Sequence, residues 1–157
     1  MTIFVDACVL PVMPCGESGR RVNRNILKLL RLMKPIVTSA APAAIGPYSQ
    51  AIEVNGFVYA SGQLPIDPAT GAFPEGGVQE QTRRSLLNVK AILEEAGLTL
   101  ANVVKTTVYL ADMGDFAAMN EIYSQFFSQP FPARSAVAVK ALPKGALVEV
   151  EVIAARG

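Results

Sequence analysis

Apolar and polar positions alternate with different periods along the chain, and each change of period predicts an element. Ile36-Val37-Thr38 reads as a short strand, followed by an Ala/Pro loop from Ala40 to Pro47 that ends in the turn pair Gly46-Pro47. Ala51–Val54 and Phe57–Ser61 flank Asn55-Gly56, the dipeptide favoured in two-residue hairpins. Pro65 to Gly77 holds three prolines and three glycines and predicts a loop. Val78, Thr82, Ser85, Leu86, Val89, Ile92, Leu93 and Ala96 then follow the helical period, with Gly97 as the stop.

Val103–Leu110 predicts a strand with Val104, Thr106, Val108 and Leu110 on one face. Asp115 is placed to cap a second helix, whose buried stripe is Phe116, Met119, Ile122, Tyr123, Phe126 and Phe127. Arg134–Val139 and Leu147–Ala154 are the last two strands. The order β-β-β-α-β-α-β-β predicts an α+β domain, a mixed sheet with two helices on one face. In the last strand Val148, Val150 and Val152 point under the helices, while Leu147, Glu149, Glu151 and Ile153 point the other way. No further helix remains to cover that second face, so other subunits are expected to bury it.

Residues 1–32 read differently from the domain at 33–157. Met1 to Gly19 has no sustained period, and from Arg20 the segment turns basic, with Arg24, Lys28 and Arg31 on one helical face. It is expected to be disordered, and either a targeting segment or surface anchor, or sequence upstream of a start at Met33.

Composition narrows the chemistry. Of 157 residues 51% are apolar and 17% charged, a globular balance. Fourteen Lys+Arg against 13 Asp+Glu leave no electrostatic footprint for nucleic acid. No apolar stretch approaches the length of a bilayer span, so no membrane partner is expected. Histidine is absent and the two cysteines, Cys8 and Cys15, fall in the extension. Histidine triads, His/Cys zinc sites and a disulfide framework are therefore excluded.

Arg134 stands between a proline-bearing turn and an apolar strand, and its guanidinium suits a carboxylate gripped by two parallel hydrogen bonds. Glu149 and Glu151 follow in the most apolar third of the chain, where a carboxylate can hold a water or move a proton. The ordinary reading of these three is a surface arginine and a solvated strand face. Tyr48 is by default a loop aromatic and Asn120 a solvated helix residue. Ser61-Gly62-Gln63 is by default a tight turn, and otherwise a backbone approach whose N–H groups meet a ligand. Gly71 to Gly77 lacks a following Gly-Lys-Ser/Thr, so a nucleotide site is not expected.

Six segments, in order, resemble the reactive-intermediate deaminase (RidA, or YjgF/YER057c/UK114) family. They are Ala43-Ala44-Ile45-Gly46-Pro47-Tyr48-Ser49-Gln50, Ala60-Ser61-Gly62-Gln63-Leu64-Pro65, Asn88-Val89-Lys90-Ala91-Ile92-Leu93, Val104-Lys105-Thr106-Thr107-Val108-Tyr109-Leu110, Phe131-Pro132-Ala133-Arg134-Ser135 and Glu149-Val150-Glu151. The resemblance implies a chorismate-mutase-like fold, a homotrimer and active sites in the clefts between subunits. It implies cytoplasmic, cofactor-independent, metal-free hydrolysis of 2-aminoacrylate and 2-aminocrotonate to 2-oxo acids and ammonia, a metabolite damage control. By the same resemblance Arg134 binds the substrate carboxylate, Glu149 orients water and assists proton transfer, and Tyr48, Ser61, Gly62 and Asn120 line the cleft. Many members carry cysteine where this chain has Ala136. The rival readings are a deaminase of another imine such as 2-aminomuconate, a non-catalytic ligand-binding or chaperone-like trimer, and a ribonuclease.

Overall fold

The computed structural model describes residues 33–157, so the expectations for residues 1–32 lie outside the described residues. Six strands and two helices follow the anticipated order: β1 (Lys34–Ile36), β2 (Ala51–Val54), β3 (Phe57–Gln63), α1 (Val78–Glu95), β4 (Val103–Leu110), α2 (Phe116–Phe126), β5 (Ala133–Ala138) and β6 (Val148–Ala155). They form one sheet in the order β1-β2-β3-β6-β4-β5. Only β4 and β5 run parallel, with α2 as their crossover.

Local chemistry fixes the ends of these elements. Asn55 (φ 51°) and Gly56 (φ 78°) supply the two left-handed residues of the β2–β3 hairpin. Gly97 closes α1 at φ 70°, and the Leu98 N–H reaches back to the Leu93 carbonyl at 2.8 Å, satisfying a carbonyl of the last turn. The core lies between the helices and one face of the sheet. Val148, Val150 and Val152 of β6 are fully buried there with Leu86, Val89, Ile92 and Leu93 of α1. Each such side chain contributes about 1.5–3 kcal/mol of burial.

Three local expectations are corrected. Val37 and Thr38 lie outside β1, because the Thr38 N–H is taken by the Gln50 side chain at 2.8 Å. Val104 is 45% exposed, and Val103 takes its inward place. The pairing of β4 with β6 shifts between Val103 and Lys105, and that irregularity turns Val104 outward. Asp115 makes no capping bond; Asp112 does, accepting from the Gly114 N–H at 2.8 Å in the turn before α2. Among the described residues, no helix is long and apolar enough to cross a membrane.

Candidate active site

Alternation along β6 points Glu149 and Glu151 away from the helices, both half-buried. Opposite them β3 carries a bulge. Val152 pairs with Ala60 and Val150 with Gln63, so Ser61 and Gly62 together face Glu151. The bulge brings the Gly62 backbone against Glu149. A Cβ on Gly62 would overlap Oε1 and lie 2.8 Å from Cδ, so glycine is what leaves room for the carboxylate. Burial, and then the charge of Glu151, hold the Glu149 carboxyl above the usual carboxylate range.

The surrounding loops make a cleft of about 520 Å³, lined by Tyr48, Ser61, Gly62, Leu64, Lys144 and Glu149 among others. The Ser61 hydroxyl donates to the Ser49 carbonyl (2.7 Å) and its N–H to the Gln50 carbonyl (2.9 Å), so Ser61 braces the wall. Its own N–H is therefore not a free donor for a ligand. Tyr48 is 53% exposed, and its hydroxyl accepts from the Ile45 N–H at 3.3 Å.

Two buried amides that the sequence reading passed over set these loops. Gln50 donates to the carbonyls of Thr38 (3.0 Å) and Pro42 (2.8 Å). Asn88 donates to those of Leu64 (3.0 Å) and Ile66 (2.8 Å), while its Oδ1 accepts from Arg84. The available signal for Asn88 was a polar residue on the inward arc of α1, beside Ser85, Val89 and Ile92.

Arg134 lies elsewhere. It pairs with Thr106, whose β6 partner is the buried Val152, and this places it on the helix side of the sheet at edge strand β5. Its guanidinium carbon sits 4.5 Å from the Tyr123 ring centroid and 5.5 Å from that of Phe116. Nη1 donates to Asn120 Oδ1 at 2.7 Å. The Tyr123 hydroxyl is bonded to Thr106 Oγ1 at 2.9 Å, which fixes the ring beneath the cation. None of the three ion pairs among the described residues uses Arg134. A second cleft of about 290 Å³ opens here, lined by Asn120, Tyr123, Ser124, Phe131, Pro132 and Arg134.

The anticipated site residues thus fall into two groups within one protomer. Tyr48, Ser61, Gly62 and Glu149 share one cleft, Asn120 and Arg134 the other, and the two clefts have no lining residue in common. The structure does not bring Arg134 and Glu149 together in a single chain. Among the described residues there is no group of three or more His, Cys, Asp or Glu suited to a metal ion.

A mixed six-stranded sheet covered on one face by two helices has solved counterparts. A family model described as Endoribonuclease L-PSP matches residues 38–156, and the chain belongs to that family, the YjgF/RidA family. A RutC family protein of Pyrococcus abyssi is 57% identical over 119 residues, covering 76% of this chain and 94% of the relative. The human 2-iminobutanoate/2-iminopropanoate deaminase is 50% identical over 126 residues, covering 80% and 92%. The crystal structure of Escherichia coli TdcF with bound serine superimposes with a TM-score of 0.75 at 47% identity, covering 79% of this chain and 99% of that one.

Proposed function

We propose that this protein is a cofactor-independent imine/enamine deaminase that converts 2-aminoacrylate and 2-aminocrotonate to pyruvate and 2-oxobutyrate, releasing ammonia. The observation that carries the reading is Arg134, held by Asn120 and stacked on Tyr123 yet paired with no carboxylate of its own among the described residues. A half-buried guanidinium with free donors fits a substrate carboxylate. The kinship to relatives named 2-iminobutanoate/2-iminopropanoate deaminase supports the same class.

In this reading a homotrimer sets the Arg134 cleft of one subunit against the Glu149 cleft of the next. Arg134 grips the substrate carboxylate and orients it. The enamine takes a proton from solvent at its terminal carbon and becomes the iminium. Water then adds to the iminium carbon while Glu149 accepts a proton from it. The carbinolamine collapses to the 2-oxo acid as Glu149 returns that proton to the departing nitrogen and the carbinolamine hydroxyl gives its proton back to solvent. One water is consumed and one ammonia released, with no change of oxidation state and no need of a metal or histidine.

A second reading is favoured by one feature. The Glu149 cleft, about 520 Å³, has apolar walls at Ile45, Leu64, Ile66 and Pro143, and Lys144 as a cation among its lining residues. It has room for a longer imine bearing a second carboxylate, such as 2-aminomuconate. The test is a coupled assay in which a serine/threonine dehydratase generates 2-aminoacrylate and loss of its imine signal is followed. Faster decay with wild type but not with Arg134→Ala is expected. Decay no faster than the spontaneous rate, with faster decay of 2-aminomuconate, would move the assignment to the second reading.

A further inference from the structure

The chain leaves the end of β3 as Leu64-Pro65-Ile66, and Leu64 and Ile66 form an apolar wall of the Glu149 cleft. Pro65 has no N–H, so this stretch of backbone has one donor fewer with which to anchor itself. Its carbonyls are gripped from below instead. Asn88, fully buried on α1, donates one amide hydrogen to the Leu64 carbonyl (3.0 Å) and the other to that of Ile66 (2.8 Å).

Arg84 decides which way that amide faces. One helical turn before Asn88, it donates to Oδ1 through Nε at 3.0 Å and through Nη2 at 2.7 Å. An oxygen held by a guanidinium cannot turn toward the two carbonyls, so both amide hydrogens point at the wall. The two donors and the two acceptor sites of Asn88 are then all in use. Neither Arg84 nor Asn88 lines the cleft, so their effect on a bound molecule passes through the wall.

We propose that Asn88, locked by Arg84, is a positioning residue that sets the apolar wall of the Glu149 cleft against the alkyl arm of the substrate, and so favours 2-aminocrotonate over 2-aminoacrylate. The substrate class rests on the deaminase reading. In that reading the reacting carbon carries three groups. Arg134 takes the carboxylate, the nitrogen stays within reach of Glu149, and the alkyl arm is left for the side chains of Leu64 and Ile66. The two substrates differ only in that arm, by one methyl group.

The test is the ratio of kcat/KM for 2-aminocrotonate to that for 2-aminoacrylate, measured on the full-length protein and two variants. Asn88→Asp keeps the shape and the bond with Arg84 but removes both donors and turns a carboxylate oxygen on the two carbonyls. Its ratio should fall about tenfold, the lower end of the roughly 10–200-fold that one methylene is worth in an apolar pocket. Arg84→Met keeps the aliphatic stem and frees the amide to rotate, and should lower the ratio about threefold, part of the same discrimination. A merely structural role would lower Tm and both kcat/KM values together. An unchanged ratio in folded Arg84→Met and Asn88→Asp would overturn the proposal, and Arg84→Met alone decides if the buried variant does not fold. The same preference is read without turnover from the dissociation constants of the products. Wild type should bind 2-oxobutyrate more tightly than pyruvate, and the variants should lose that margin; equal binding of the two by wild type would overturn the proposal. Absence of imine turnover in wild type would instead remove the deaminase reading, and the product titrations would still decide the role of Asn88.

Discussion

Arg134 and Glu149 lie on opposite faces of the same sheet. Arg134 stands on the face that α2 covers, stacked on Tyr123, and Glu149 on the open face against Gly62. Strand β4 lies between the strands that carry them. A three- or four-carbon substrate cannot touch both within one protomer. If the two act on one molecule, a second copy of the chain must supply one of them.

The first prediction concerns the anchor. Removing one partner of a buried charged pair costs about 2–5 kcal/mol, so Arg134→Ala should lower kcat/KM for 2-aminoacrylate by about 30- to several-thousand-fold. Arg134→Lys should recover only part of this, because an ammonium cannot reproduce the planar fork or its stacking on Tyr123. Steady-state kinetics on both variants checks this. Near-normal turnover in a folded Arg134→Ala would remove the anchor role.

Gly62→Ala tests the fit of the carboxylate. The added methyl would overlap Oε1 of Glu149, so the side chain must turn away. A displacement of about 1 Å can cost about 100-fold in rate. A loss of that order in kcat with the fold intact is expected, and kinetics beside a circular dichroism melt measures both.

Glu149 also carries a stability signature. Its folded value is raised, so the fold binds its proton more tightly than the unfolded chain does. The ionised form therefore weakens the fold above the folded midpoint, and this cost disappears below the unfolded one. Glu149→Gln should melt higher than wild type at neutral pH, and the difference should vanish as pH falls into the ordinary carboxylate range. Melts across that range decide the matter.

Glu53 has the opposite sign. Its bidentate pair with Arg156 (2.6 and 3.1 Å) lowers its value, and Arg156 also donates to the Ala96 carbonyl, tying β2 to the C-terminal end of β6 and to the end of α1. The stabilisation is present above the unfolded carboxylate value and is lost as pH falls through the folded one. Glu53→Gln should therefore lower Tm modestly at neutral pH and not at all in strong acid. The pair is partly exposed, so salt should shrink the difference.

Much of this was legible in local chemistry. The Asn55-Gly56 hairpin, the Gly97 stop and the alternation of Val148, Val150 and Val152 with Glu149 and Glu151 each follow from backbone preference or period alone. What escaped depended on pairing across the sheet. The turned-out Val104 comes from a register shift against β6, and the face of Arg134 is set by its pairing with Thr106. Asn88 and Gln50 were hidden because a buried amide bonding to loop carbonyls has no periodic signature. The bulge at Ser61 and Gly62 leaves only a glycine in the sequence, although it brings the backbone against Glu149.

Subunit complementation tests the shared site most directly. Arg134→Ala and Glu149→Gln should each be nearly inactive alone. Co-expressed and randomly assembled, they should regain about a quarter of wild-type turnover, because about one interface in four then joins an intact Arg134 to an intact Glu149. Mixed oligomers, verified by mass spectrometry, that show no more activity than either parent would contradict a site built from two chains.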